Sequence, residues 1–195
     1  MSVSLIMPCH NEGKRQEFME DIEEILPMVN QIIGCNDKHS MGKGWAVREA
    51  LRCATGDIVI ILDGDGDINP KMVRRLLPYL EDYDVVCGVR PISGLWSRRC
   101  LTYWSRMYIA LLFGVKVSSQ TGLKIFKRYA LEEWYNNGFL ADLEILCMAK
   151  KKGMRIIEVP IEGETNKPMK FSSIWRTFKE SITLFLEMKD YKHDK

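Results

Sequence analysis

The chain has 195 residues, 46% hydrophobic and 28% charged, with a formal net charge of +2. That length and mix suit one globular domain with its own core and exclude a disordered or collagen-like chain. The near-even charge balance gives no overall pull toward nucleic acid.

Residues 3–7 are a short apolar run that Pro8 is expected to end, a buried strand rather than a leader peptide. Residues 13–26 place Phe18, Ile22, Ile25 and Leu26 at helical spacing and stop near Pro27. A second short strand is expected over 31–35. Residues 44–54 predict a helix with Ala46, Val47, Ala50 and Leu51 on one face, closed by Thr55-Gly56. Residues 57–62 (DIVIIL) are apolar on both faces, as central parallel strands are. A helix over 70–80 and a strand over 84–87 follow. Strands alternating with helices predict an open, mostly parallel α/β sheet with right-handed crossovers. Ligands of such sheets bind beyond the carboxyl ends of the strands.

The second half differs. Residues 95–113 predict a helix that mixes Trp96, Leu101, Tyr103, Trp104, Tyr108 and Leu112 with arginines. A strand over 121–126, a helix over 140–151, a strand over 155–159 and an amphipathic helix over 174–188 complete the pattern. The longest apolar run, 107–115, is about half the length of a membrane span. No repeat or low-complexity linker is present, so residues 1–170 are assigned to one domain and 171–195 to an appended helix and charged tail. Cys9, Cys35, Cys53, Cys87, Cys100 and Cys147 form no C-x-x-C pair and no zinc spacing; they read as small buried thiols of a reducing compartment.

Asp63, Asp65 and Asp67 follow the most apolar strand, separated by glycines. Carboxylates this close repel unless a cation or protons intervene, and hard oxygens at a strand end suit Mg²⁺ or Mn²⁺ holding a diphosphate. A calcium-binding EF-hand loop is excluded, because Ile68 and Arg74 stand where it needs Gly and Glu. An acidic turn with Asn69 capping the next helix is the plain alternative. Gly42-Lys43-Gly44 opens a helix and offers N–H groups to an anion, but it is neither a Walker loop nor a dinucleotide fingerprint. Residues 85–131 contain no Asp or Glu, yet hold Arg90, Arg98, Arg99, Arg106, Lys116, Lys124, Lys127 and Arg128. A basic, aromatic-rich amphipathic helix is the pattern of an interfacial helix, or of a solvated face over a packed core. Arg90, just past a strand end, is placed to hold a phosphate.

Together these stretches resemble the family-2 glycosyltransferases of the GT-A fold, and within them the dolichol-phosphate mannose synthases and polyprenyl-phosphate glycosyltransferases. The matching runs are IMPCHNE from Ile6, GKGWAVREAL from Gly42, ATGDIVIILDGDGDINP from Ala54, CGVRP from Cys87, SQTGLKIFKR from Ser119 and FLADLEILCMAKKKGMRIIEVPI from Phe139. The resemblance implies that Asp63 and Asp65 are the DxD that binds donor and metal, with Asp67 a further ligand of Mg²⁺ or Mn²⁺. It implies that Pro8, Asn11 and Glu12 hold the nucleoside and that Lys43 is the GKG lysine. Arg90 would reach phosphate groups, and Asp142 and Glu144 would form the D-x-E near the acceptor. Lys170 would belong to a loop over the diphosphate. The family's second-strand base-reading motif and the α/β unit after it do not fit between Asn11 and Gly42. The sheet is therefore expected to be shortened by one α/β unit, with Asp37 the remaining candidate base reader.

The expected reaction is an inverting, metal-dependent transfer of a hexose from a GDP-mannose- or UDP-glucose-type donor to a polyprenyl or dolichyl phosphate. Arg90 with Arg98 or Arg99 would orient the acceptor phosphate; a hydroxyl acceptor would instead need a base, with Asp142 the first candidate. The expected setting is cytoplasmic, peripheral at a membrane surface, with no nucleic acid partner. Two rivals remain: a catalytically silent binding module, and a nucleotidyltransferase, whose glycine-rich basic loop after the first strand is absent.

Overall fold

The computed structural model describes residues 1–9, 22, 26–36, 41–91, 96–116, 121–131, 136–138, 140–162 and 171–190. Strands β1 (Val3–Cys9) and β2 (Gln31–Asn36) lead into helix α1 (Lys43–Cys53) and strand β3 (Ile58–Leu62). Helix α2 (Lys71–Leu76) tightens into a 3₁₀ turn (Leu77–Glu81) before strand β4 (Val85–Val89). Helix α3 (Trp96–Phe113), strand β5 (Leu123–Lys127), helix α4 (Ala141–Lys151), strand β6 (Ile156–Pro160) and helix α5 (Phe171–Asp190) follow.

The strands form one sheet in the order β2-β1-β3-β5-β4-β6. β1 pairs in parallel with β2 and β3, and β4 with β6, while β5 runs against both of its neighbours. The sheet is thus mostly parallel and flanked by helices, as the alternating pattern predicts. Because successive side chains of a strand face opposite ways, β3 feeds two cores. Val59 and Ile61 pack with Val47 and Ala50 of α1 and Leu143 and Leu146 of α4. Ile58, Ile60 and Leu62 pack with Ile22, Leu26 and Val73.

Three local departures have physical causes. β1 does not end at Pro8 but runs on to Cys9, with Pro8 in register with Cys35 of β2. The β1–β3 ladder stops at Ile6, so the N–H that proline lacks falls on a flank where no ladder bond is needed. The Pro8 carbonyl on that flank accepts the Gly64 N–H at 3.1 Å. The helix predicted over 70–80 keeps α geometry only to Leu76, because Pro78 cannot donate back to the preceding turn. Of the helix predicted over 13–26 only Ile22 and Leu26 are described; both are buried, and the Leu26 N–H donates to the Ile22 carbonyl at 2.8 Å, one α-helical turn.

The shortening is visible in the topology. Among the described residues β2 pairs with β1 alone, and α1 begins at Lys43, seven residues after Asn36. No strand lies between them among the described residues. α5 packs on α3: the Tyr108 and Phe178 rings are 5.4 Å apart, Phe185 meets Phe113 edge-on at 5.9 Å, and Leu184 is buried. Among the described residues no helix is long and apolar enough to cross a membrane.

Candidate active site

Charged side chains gather at the carboxyl ends of the parallel strands β3 and β4. Asp63 follows β3 directly, its backbone fixed by donation to the Gly122 carbonyl at 2.8 Å. Gly122 is needed there, since a Cβ on it would lie 2.9 Å from Asp63 Oδ2. Asp63 Oδ1 is 2.8 Å from Lys43 Nζ, at the start of α1. Lys43 Nζ also donates to Asp142 Oδ2, in the first turn of α4, at 3.0 Å. The same Asp142 oxygen is 3.3 Å from Lys124 Nζ, which donates to the Thr121 carbonyl at 2.6 Å. Four charged groups thus link α1, the loop after β3, α4 and β5.

Burying charge is tolerated only with such pairing. Burial opposes the Lys43 ammonium, but Asp142 and Asp63 outweigh it and raise its pKa above the ordinary lysine value. Burial likewise pushes the Asp142 carboxyl up, but Lys124 and Lys43 prevail and hold it below the usual carboxylate value. Asp63 is raised by burial, with Lys43 opposing and Asp142 adding to the shift.

The GKG glycines do something the sequence did not suggest. A Cβ on Gly44 would sit 2.4 Å from the Asn136 carbonyl oxygen and 2.5 Å from Ala141 Cβ; one on Gly42, whose φ is +101°, would be 2.2 Å from the Asn137 oxygen. The Gly44 and Trp45 N–H groups donate to the Asn137 carbonyl at 2.9 and 3.4 Å. These N–H groups, expected to be open to an anion, are therefore capped by the turn before α4. What the helix start presents is Lys43. Arg48 closes the contact by donating to Asn137 Oδ1 at 2.6 Å.

The aspartate loop lies beside this cluster. Asp65 is exposed, and its Oδ1 accepts the Asp67 N–H at 3.1 Å across Gly66, whose φ is +75°. Asp67 Oδ2 is 3.9 Å from Arg90 Nη1, just past β4. Buried Ile68 anchors the loop, and Asn69 Oδ1 accepts the Lys71 N–H at 2.9 Å, the capping role expected of it. Among the described residues no three His, Cys, Asp or Glu side chains gather as a metal cage, and Asp63 Oδ1 is paired with Lys43.

Asn11, Glu12, Asp37 and Lys170 lie outside the described residues, as does the Arg98 side chain. Arg99 is exposed on the first turn of α3. The residues not singled out from sequence are Lys124 and Asn137. A lysine inside the apolar run GLKIF was the available signal for the first; nothing local marked the second.

The family model described as glycosyl transferase family 2 matches residues 15–178. The chain belongs to that family. Similar curated proteins include a dolichyl-phosphate beta-glucosyltransferase of Trichomonas vaginalis, 24% identical over 78% of this chain and 52% of that protein. Glycosyltransferase AglD of Haloferax volcanii is 26% identical over 84% of this chain and 33% of that one. The chain thus spans about half the length, or less, of these relatives. Among solved structures, mannosyl-3-phosphoglycerate synthase from Rubrobacter xylanophilus superposes with a TM-score of 0.75 at 16% identity, covering 95% of this chain and 73% of its own. Glucosyl-3-phosphoglycerate synthase from Mycobacterium tuberculosis, in complex with Mn²⁺, UDP-glucose and phosphoglyceric acid, gives 0.67 at 18% identity, covering 89% and 74%. At these identities the structural likeness establishes the fold. In this family-2 glycosyltransferase, Lys43, Asp63 and Asp142 meet at one end of the sheet, and Asp67 faces Arg90.

Proposed function

We propose that this family-2 glycosyltransferase moves a hexose from a nucleoside diphosphate donor to a lipid phosphate at a membrane surface, with Mg²⁺ or Mn²⁺ and inversion at the anomeric carbon. The observation that carries the reading is the meeting of carboxylates and cations at the strand ends: Lys43 between Asp63 and Asp142, and Arg90 beside Asp67. Donor diphosphate and acceptor phosphate both need cations held in place before the reaction.

The donor set fits a hard cation. Mg²⁺ is commonly held by one or two carboxylates and completed by substrate phosphates. Asp65 and Asp67, on a glycine-turned loop, would supply those carboxylates, with Asp63 fixing the loop base through Lys43. Such a cation neutralises charge on a leaving diphosphate. Lys43 and Arg90 would orient the donor and acceptor phosphates, joined by Arg98 or Arg99 at the acceptor side. Pro8, Asn11, Glu12, Asp37 and Lys170 keep the donor-binding roles the family resemblance implies.

The acceptor is argued from Asp142. Its Oδ2 is shared by two ammonium groups, and its carboxyl is held below the ordinary value. A carboxylate so held is a poor proton acceptor, which counts against its sequence-based role as the base for a hydroxyl. A phosphate acceptor is already anionic and requires no base. The name of one curated relative points the same way, to dolichyl phosphate. Exposed Trp96, Tyr103, Trp104 and Leu111 on α3, with Trp175, Phe178, Ile182 and Leu186 on α5, favour the lipid form and a peripheral location at a membrane surface.

Transfer of labelled sugar from UDP- and GDP-sugars to polyprenyl phosphate and to 3-phosphoglycerate, with Mn²⁺ and without metal, tests the reading. Metal-dependent lipid product, abolished by Asp65→Ala in a folded protein, is the expected result. Product on phosphoglycerate alone would overturn the lipid acceptor, and no product from any donor would favour a silent binding module. Wild-type protein should also sediment with anionic vesicles at low salt, less so after Arg98→Glu with Arg99→Glu; no sedimentation of the wild type removes the membrane contact.

A further inference from the structure

Lys124 carries its charge into the middle of the sheet. It is 1% exposed, in β5, which lies between β3 and β4. An apolar side chain would fill that place without desolvating a charge, and exchange of buried ions for apolar groups is often neutral or stabilising. The ammonium is therefore kept at a cost, and its contacts say for what. It donates to the Thr121 carbonyl at 2.6 Å and lies 3.3 Å from Asp142 Oδ2. Thr121 precedes Gly122, whose carbonyl accepts the Asp63 N–H at 2.8 Å. Asp142 Oδ2 accepts from Lys43 at 3.0 Å, and Lys43 is 2.8 Å from Asp63 Oδ1. Lys124 thus reaches Asp63 by two routes, one through the backbone of the turn and one through the Asp142–Lys43 pair.

We propose that Lys124 is a positioning residue, which holds the Asp142 carboxylate and the Thr121–Gly122 turn so that Lys43 stays docked on Asp63 at the donor-phosphate end of the site. The proposal rests on the donor reading above. Lys124 is too buried to touch a substrate itself; it acts through Asp142 and Lys43. A bridging oxygen that serves two ammonium groups has a fixed direction. With one of them gone, Asp142 is free to swing with Lys43, and the lysine loses its single orientation.

The test uses Lys124→Met, Lys124→Arg and, independently, Asp142→Asn, in protein labelled with ¹⁵N at its lysine side chains. A docked, buried ammonium exchanges slowly with water and gives a resolved side-chain resonance, assigned to Lys43 by its loss in Lys43→Arg. The resonance should be present in the wild type and in Lys124→Arg, and lost in Lys124→Met and in Asp142→Asn. In the transfer assay, kcat of Lys124→Met should fall about 10²-fold, the loss expected of a displaced positioning group. The KM for donor should move far less, and Lys124→Arg should recover most of the rate. An unchanged Lys43 resonance in folded Lys124→Met overturns the proposal, as does a wild-type kcat in that variant. If Lys124→Met does not fold, an unchanged resonance in Asp142→Asn overturns it. A wild type that transfers no sugar sinks the donor reading while the resonances still decide the role of Lys124.

Discussion

Replacing Gly44 with alanine tests the docking of α1 on the turn before α4. The new Cβ would lie 2.4 Å from the Asn136 carbonyl oxygen and 2.5 Å from Ala141 Cβ. Ordinary carbon contacts begin near about 3.5 Å, and neither neighbour is the end of a flexible side chain. The two segments must therefore part by roughly 1 Å. Overpacking of this kind costs about 1–3 kcal/mol. The Gly44 N–H bond to Asn137, at 2.9 Å, is worth about 1 kcal/mol. Stretching the Lys43–Asp142 contact removes part of a charged hydrogen bond worth about 1.5–3 kcal/mol. Alanine returns up to about 1 kcal/mol of helix propensity. The net expectation is a loss of about 2–4 kcal/mol, read as a lower urea midpoint at unchanged slope. Gly66→Ala is the control. Its φ is +75° but no atom lies within 4 Å of the built Cβ, so it should lose only about 1–2 kcal/mol of backbone strain. A Gly44→Ala protein as stable as Gly66→Ala would refute the docking argument.

Asp84 lies at the opposite end of the sheet and accepts the Tyr129 hydroxyl at 2.6 Å and the Arg155 N–H at 2.8 Å, with Lys127 at 3.4 Å. The Tyr129 bond first, then Arg155 and Lys127, hold its carboxyl below the usual value against the opposing effect of burial; a lowered folded pKa adds stability above the ordinary value that is lost as pH falls through the folded one. Asp84→Asn should therefore cost about 1–2 kcal/mol at neutral pH, with the difference from wild type shrinking as pH falls below the ordinary carboxylate value; a difference that does not change with pH would refute this. Ser4→Ala should cost about 1–3 kcal/mol in thermal unfolding, because buried Ser4 Oγ accepts the Gly56 N–H and donates to Gln31 Oε1, each at 2.8 Å; no change would mean that the Gly56 N–H finds another acceptor. Because α1 follows β2 so closely, UDP and GDP should bind in the presence of Mn²⁺ with affinities within about tenfold of each other by calorimetry; a hundredfold preference would show an intact base reader.

The sheet was legible because its signals are local. Residues 57–62 have no polar side on which to face water, so a two-sided strand was the available solution, and the acids placed directly after it fall at the ligand-binding end of an α/β sheet. The spacing from Asn36 to Lys43 likewise leaves no length for another helix and strand. What could not be read is what joins residues far apart in the chain. Asn137 lies 93 residues from Gly44 in the sequence, yet its carbonyl consumes the helix N–H groups that the GKG pattern seemed to offer. Asp142 is an acid near the acceptor by motif. Only its placement between Lys43 and Lys124 shows that its proton affinity is suppressed. Pro8 misleads by type, because a missing N–H matters only on a flank where a ladder bond is due.

The charges at the site bear on why a cation should be needed at all. Lys43 and Lys124 are matched by Asp63 and Asp142, so this cluster carries no net charge with which to attract a phosphate. Arg90 stands 3.9 Å from Asp67, and Asp65 is a second carboxylate on the same loop, so these three groups together carry one negative charge. A diphosphate brought to such a surface meets repulsion, and in a partly desolvated site that repulsion is stronger than in water. On the proposed reading, a divalent cation held by Asp65 and Asp67 would bring these three groups to one positive charge. On this arithmetic the neutral cluster sets geometry while the cation supplies attraction, which is why Asp65→Ala and metal removal should fail in the same way, and Lys124→Met in a different one.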